Sequence, residues 1–197
     1  MGSKERILRQ KEETRANILK AARDIVKQEG WQGLSMRKIA DKIEYTAPII
    51  YEYFSNKEAI LQELTCKGFM LLAKDLADVK KKYSTPDEQL EGMWMAYWDF
   101  ARENKEMYQL MYGVQMTCCT QSTPETDGPY DLISAVIAEL MGVEDPDEDV
   151  VMQKYFTFFS VIHGLISINM IGEGLSSEIN KQILKDAISG IIRYIKD

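Results

Sequence analysis

The chain of 197 residues contains one histidine, three cysteines and five prolines, and no segment alternates convincingly between polar and apolar residues. Each scarcity excludes something. With His163 alone, no second imidazole can complete a relay, and there is no Gly-rich phosphate loop, Gly-x-Ser-x-Gly elbow or His-Glu-x-x-His pair. No catalytic residue, cofactor or metal ligand is assigned, and an enzyme is not expected. Cys66, Cys118 and Cys119 are odd in number and lack metal-ligand spacing, which suits reduced thiols in a cytoplasmic protein. Around Cys118 and Cys119 there is no basic residue to activate a thiol sensor. The amino terminus is charged from Lys4 onward, so no apolar signal segment is read, and Arg6 stands where a myristoylation motif needs Ser or Thr. The uncharged apolar run Tyr155 to Ile171 would reach only about 25 Å as a helix, and Thr157, Ser160, His163, Ser167 and Asn169 interrupt it. A membrane span is therefore not expected.

What remains reads as an all-α protein. Hydrophobic residues make up 45% of the chain, enough for a sizeable core. Helix starts are marked by Ser35, by Ser55 with Glu58, by Thr85-Pro86-Asp87-Glu88, by Asp145-Pro146-Asp147-Glu148 and by Ser176-Ser177. The helix opened at Ser55 should run to about Lys82. Gly113 to Pro129 is polar and aperiodic and reads as a mobile loop, followed by a helix from about Pro129 to Met141.

The stretch Leu34 to Glu58 reads as two short helices around a tight turn. Met36, Ile39, Ala40 and Ile43 fall at helical spacing after the Ser35 cap, while Lys38 and Asp41 stay outside. A second helix starts at Thr46, with Pro48 in its first turn, where backbone N–H groups have no helical partner anyway, and Ile50 and Phe54 on one face. Thr46, Ala47, Pro48 and Tyr51 are left outward, short or planar groups that a major groove accepts. Charge supports this end. Residues 1–58 carry 12 Lys or Arg against 9 Asp or Glu, although the whole chain has a net charge of -7. Arg6, Arg9, Lys11 and Arg15 either face phosphate or simply solvate a helix.

These residues resemble the amino-terminal domain of the TetR family of transcriptional regulators. The resemblance rests on Ile18, Leu19, Ala21 and Ala22, on Glu29-Gly30, on Leu34-Ser35-Met36-Arg37-Lys38-Ile39-Ala40, and on Tyr51-Glu52-Tyr53-Phe54 with Lys57-Glu58. It departs from the family at the inter-helix turn, where Glu44 stands in place of the frequent Gly. The resemblance implies a helix-turn-helix DNA-binding domain over residues 1–54 and a helical ligand-binding and dimerisation domain over residues 55–197. It implies that Arg37 reaches a guanine edge, that Ser35, Tyr51 and Lys57 bind phosphates, and that Thr46, Ala47 and Pro48 face bases. The chemistry is consistent: guanidinium bonds guanine bidentately, a helix amino terminus beside Lys57 attracts phosphate, and apolar groups sense the thymine methyl. Tyr53 and Phe54 read as core.

Between Met93 and Met116 the chain crowds Trp94, Tyr97, Trp98, Tyr108 and Met111 among further Met and aromatic residues, more than one helix face can bury. Such walls suit a cavity for a small hydrophobic or aromatic effector, contacted by some of Trp94, Tyr97, Trp98, Tyr108, Met111, Phe159 and His163. His163-Gly164 looks like the His-Gly signature of one TetR carboxy-terminal subclass, with Phe159 where that subclass has Trp. Gln153, Thr157, Ser160, Gly164 and Ser167 form one face of a helix, and Phe156, Phe159, His163, Ile166 and Met170 another, so both sides should be covered. The small-residue face, with Ile183, Ala187, Ile188, Ile191 and Ile195 of the last helix, is the expected homodimer interface, or alternatively an internal contact. The resulting expectation is a homodimeric repressor of a palindromic double-stranded operator. The alternative is a helical adaptor that binds protein partners, which would leave Arg37 and Lys57 without a purpose.

Overall fold

The computed structural model describes residues 3–113, 124–171 and 174–196. Among them there is no strand. The helices are α1 (Ser3–Glu29), α2 (Met36–Lys42), α3 (Ala47–Tyr53), α4 (Lys57–Lys80), α5 (Pro86–Glu103), α6 (Lys105–Tyr112), α7 (Pro124–Met141), α8 (Glu148–Ile171) and α9 (Ser177–Lys196), with a single 3₁₀ turn at Trp31–Gly33. The chain packs as two units, one of Met1–Lys67 with Gln109–Thr120 and one of Gly68–Tyr108 with Gln121–Asp197. The first unit extends past residue 54 because the opening turns of α4 bury Ile60, Leu61 and Leu64 in its core.

That first core is almost wholly aliphatic. Ile18, Ala22, Ile25 and Val26 of α1 meet Leu34, Ile39 and Ala40, together with Ile50 and Phe54. Tyr53 packs half-buried against the same cluster. Gly30, at φ 73, makes the turn out of α1 that a side chain would strain.

The second unit is built around α5, which packs against α7, α8 and α9. Trp94, Tyr97 and Trp98 are buried on it, as the uncharged composition of this segment predicts. Thr85 caps α5 by accepting from the Glu88 N–H while its hydroxyl donates to the Glu88 carboxylate. Asn169 and Asn180 exchange side-chain amide hydrogen bonds of 3.0 and 2.8 Å between α8 and α9. Their remaining bonds run to the Leu165 and Leu175 carbonyls and from the Leu175 N–H, so the buried Asn180 is satisfied.

Several expectations are corrected. The cap of α4 is Asn56, whose Oδ1 accepts from the Ala59 N–H at 2.8 Å, not Ser55. Residues 124–129 of the expected loop belong to a helix instead, since α7 begins at Pro124 and contains Pro129. An interior proline costs on the order of 3 kcal/mol. Full burial of Ile133, Val136 and Ile137 further along offsets it. Residues 114–123, including Met116, Cys118 and Cys119, lie outside the described residues. Helix α8 is 24 residues long and passes a membrane test on length and mean hydropathy of 1.2, so the shortfall in length does not hold. Its apolarity is used in packing against α5, α7 and α9. The buried stripe of α8 is Val151, Tyr155, Phe158, Ile162 and Leu165, whereas Gln153, Phe156, Thr157 and Ser160 are exposed. On α9 the inner stripe is Asn180, Leu184, Ile188 and Ile192, and Ile183 lies outside it. Helix α8 carries apolar residues nearly all round, and the apolar arc of α9 is wider than its buried stripe, so periodicity alone does not fix the inward face of either.

Candidate nucleic-acid interface

Helix α2 starts where Ser35 Oγ accepts from the Lys38 N–H at 3.3 Å. It ends at Ile43, and Glu44 turns the chain at φ 59, in the left-handed region. The turn thus keeps the conformation that glycine favours, held by the Tyr45 N–H bonded to the Ala40 carbonyl at 2.9 Å. Thr46 occupies the cap position of α3 without a capping side-chain bond, and Pro48 lies in the first turn. Ile50 and Phe54 point into the core, which leaves Thr46, Pro48 and Tyr51 exposed.

Ser35, Arg37, Ala47, Pro48, Tyr51 and Lys57 line one concavity of about 610 Å³. Six of the seven residues singled out for DNA therefore share a surface, and Thr46 sits on the same helix start just outside its lining. The wall also contains Asn56, which the sequence reading passed over. Its signal was its place as the cap residue directly before the helix that opens at Lys57. Lys57 is half-buried and donates from Nζ to the Trp31 carbonyl at 2.9 Å, which holds its ammonium at the rim with further N–H donors in hand. Tyr51 is 54% exposed, a surface position for a large ring that the core has no use for. Glu52 is exposed on the same helix, and with Lys11, Glu12, Arg15 and Tyr53 it lines a second recess.

The residues named for an effector lie mostly in the second unit. Trp94, Tyr97, Trp98 and Tyr108 are buried, and Phe159 and His163 half-buried. Rings stack continuously: Trp94 on Phe158 with centroids 5.4 Å apart, Tyr97 edge-on to Tyr108 and to Phe159, and Phe159 on His163 at 5.1 Å. Burial lowers the His163 pKa and raises that of Tyr108. The Tyr108 hydroxyl and His163 Nδ1 share a hydrogen bond of 2.6 Å. Among the described residues, the indole N–H groups of Trp94 and Trp98 have no hydrogen-bond acceptor. Met111, half-buried on α6, groups with the first unit instead. No cluster of three or more His, Cys, Asp or Glu able to hold a metal occurs among the described residues.

Two short helices joined by a tight turn, with the second presenting small and planar groups beside Arg37 and Lys57, define a helix-turn-helix protein of the DNA-binding class. Residues 18–64 match the description "Bacterial regulatory proteins, tetR family", and residues 90–183 match "Tetracyclin repressor-like, C-terminal domain". The chain belongs to the TetR family. Over 91 residues, 44% of this chain and 46% of the relative, it is 33% identical to an uncharacterized HTH-type transcriptional regulator of Haemophilus influenzae. The chain spans about half the length of the curated relatives it matches. In fold it is similar to a protein of unknown function from Rhodococcus sp. RHA1, with a TM-score of 0.78, 20% identity and coverage of 93% and 95% of the two chains. It is also similar to the transcriptional regulator FadR from Bacillus subtilis in complex with stearoyl-CoA, with a TM-score of 0.68, 18% identity and coverage of 89% and 98%.

Proposed function

We propose that this chain is a cytoplasmic, ligand-responsive transcriptional regulator that binds a palindromic operator as a homodimer and is released from it by a small hydrophobic or aromatic molecule. The observation that carries this reading is the shared concavity of Ser35, Arg37, Ala47, Pro48, Tyr51 and Lys57, formed by the starts of α2, α3 and α4. Residues 1–54 are the part that reads DNA. Arg37 takes a guanine edge, Ser35, Tyr51 and Lys57 hold phosphates, and Thr46, Ala47 and Pro48 meet bases.

One recognition helix of seven residues makes too few base contacts for useful specificity, and two on a two-fold axis make enough. The faces of α8 and α9 left open support a second copy. Met152, Phe156, Val161 and Ile168 are exposed on α8, and Ile179, Ile183 and Tyr194 on α9. A Cβ at Gly164 or Gly190 would meet nothing within 4 Å. These small positions let a partner helix approach closely. The aromatic cluster of Trp94, Tyr97, Trp98, Tyr108, Phe159 and His163 supports an apolar effector, and the related fold that holds stearoyl-CoA fits that chemistry. Helix α4 begins in one unit and ends in the other, so an effector that favours a different tilt of α4 alters the spacing of the two recognition helices.

The test is selection of bound duplexes from a random pool by the full chain, followed by titration of the enriched sequence at several salt concentrations. Tyr51→Ala and Lys57→Ala weaken binding to every duplex, while Arg37→Ala also relaxes preference at one base position, by about 1–3 kcal/mol. If the three variants bind as wild type does, the interface is wrongly assigned. Failure to enrich any duplex would instead favour a protein-binding adaptor.

A further inference from the structure

Of the basic residues near the amino terminus, Arg15 alone is bound on three sides among the described residues. Its Nη1 donates to the carbonyl of Tyr53, the last residue of α3, at 3.2 Å. Its Nη2 bonds the Glu63 carboxylate on α4. Its guanidinium carbon sits over the Phe54 ring, 4.3 Å from the centroid. Arg9, by contrast, pairs along its own helix, with Glu13.

We infer that Arg15 is a positioning residue for DNA recognition: with Glu63 it forms a joint that ties the carboxy-terminal end of the recognition helix α3 to α4. This rests on the DNA-binding reading above. A helix of seven residues is not stable by itself, so its axis is set by whatever holds its two ends. Ile50 fixes the middle through the core, and the exposed start at Thr46 to Pro48 is left for bases. The far end presents unbonded carbonyls, which a cation satisfies best. Arg15 supplies that cation, and the Phe54 ring and Glu63 prevent it from swinging away. Glu63 is itself held by Lys67 one turn on, at 3.6 Å, so a rotation of α4 displaces the carboxylate and with it the end of α3. Because Glu63 is paired with the guanidinium, the charge Arg15 can offer a phosphate is reduced. Lysine has the charge but neither the planar fork nor the flat stacking surface.

The experiment uses the duplex enriched by the wild-type full chain and an unrelated duplex of equal length. Arg15→Lys and Glu63→Gln both keep the aliphatic core intact. For each, affinity for the enriched duplex should fall roughly tenfold, while that for the unrelated duplex changes less than about twofold and the salt slope is unchanged. Arg15→Glu combined with Glu63→Arg should recover part of the lost discrimination. A drop on both duplexes alike in Arg15→Ala, with the salt slope reduced by about 1, would make Arg15 a phosphate contact and overturn the proposal. Unchanged discrimination in both Arg15→Lys and Glu63→Gln would overturn it as well, leaving the DNA-binding reading intact. Should the wild type enrich nothing, both fall together.

Discussion

The two units of this chain solve burial differently. The helix-turn-helix unit fills its interior with Ile, Leu, Val and Ala and spends its polar side chains on caps and turns. The body mixes aliphatic side chains with the rings of Trp94, Tyr97, Trp98, Tyr108, Tyr155 and Phe158, and among the described residues the indole N–H groups of Trp94 and Trp98, like that of Trp31 in the first unit, are buried without acceptors. Aliphatic side chains of fixed shape specify one arrangement of short helices, which a surface that reads DNA requires. A core of rings and buried polar edges stands nearer to alternative packings, which suits a region whose conformation a ligand selects. Under the proposed function, rigidity falls where sequence is read and adaptability where a signal is received.

Truncation in the two cores separates them most strongly. Ile50→Ala should cost about 2–5 kcal/mol in urea denaturation, as a close-packed aliphatic site does. Trp98→Phe, which opens a small void but removes an unpartnered N–H, should change stability by less than about 1.5 kcal/mol. Equal losses at both positions would erase the contrast. The open faces come next: Phe156→Asp with Ile183→Asp should weaken self-association at least tenfold in sedimentation equilibrium, roughly the effect of 1.4 kcal/mol or more. An unaltered dimer would place the interface elsewhere. A smaller gain is expected at the turn. Glu44→Gly removes a side chain from a left-handed conformation and should raise stability, read from the shift in melting midpoint, by about 1 kcal/mol at most once the extra chain entropy of glycine is counted.

The smallest effect is a pH dependence confined to the body. Burial lowers the folded-state pKa of His163, so the unfolded chain binds its proton first as pH falls. Stability attributable to this group is full above the ordinary histidine value, about 6.5, and declines below it toward the folded value as the partly buried imidazole is forced to charge. His163→Phe should flatten that acid limb in denaturation curves, and a limb of unchanged slope would detach it from His163.

Legibility in the sequence also differed between the units. Ser35, Thr46, Pro48 and Phe54 announce their roles because caps, first-turn prolines and i, i+4 apolar pairs are local rules. The shared concavity of the recognition residues was legible only through resemblance, since residues 35 and 57 are far apart in the chain. Asn56 displaced Ser55 as a cap because two neighbouring cap formers compete and the packing of α4 chooses between them. Arg15 read as one basic residue of four, and its bonds to Tyr53 and Glu63 span 38 and 48 residues, beyond any local pattern.

From the chain of amino acids alone came the helical class, most helix starts and the DNA-reading segment, because each is decided by neighbours within a turn or two. Tertiary structure alone decided which stripe of α8 and α9 faces inward, which rings stack, and which cation grips the recognition helix. Those outcomes depend on contacts between residues distant in sequence, and a helix whose apolar surface is wider than the stripe it buries carries no record of the side its partner will take.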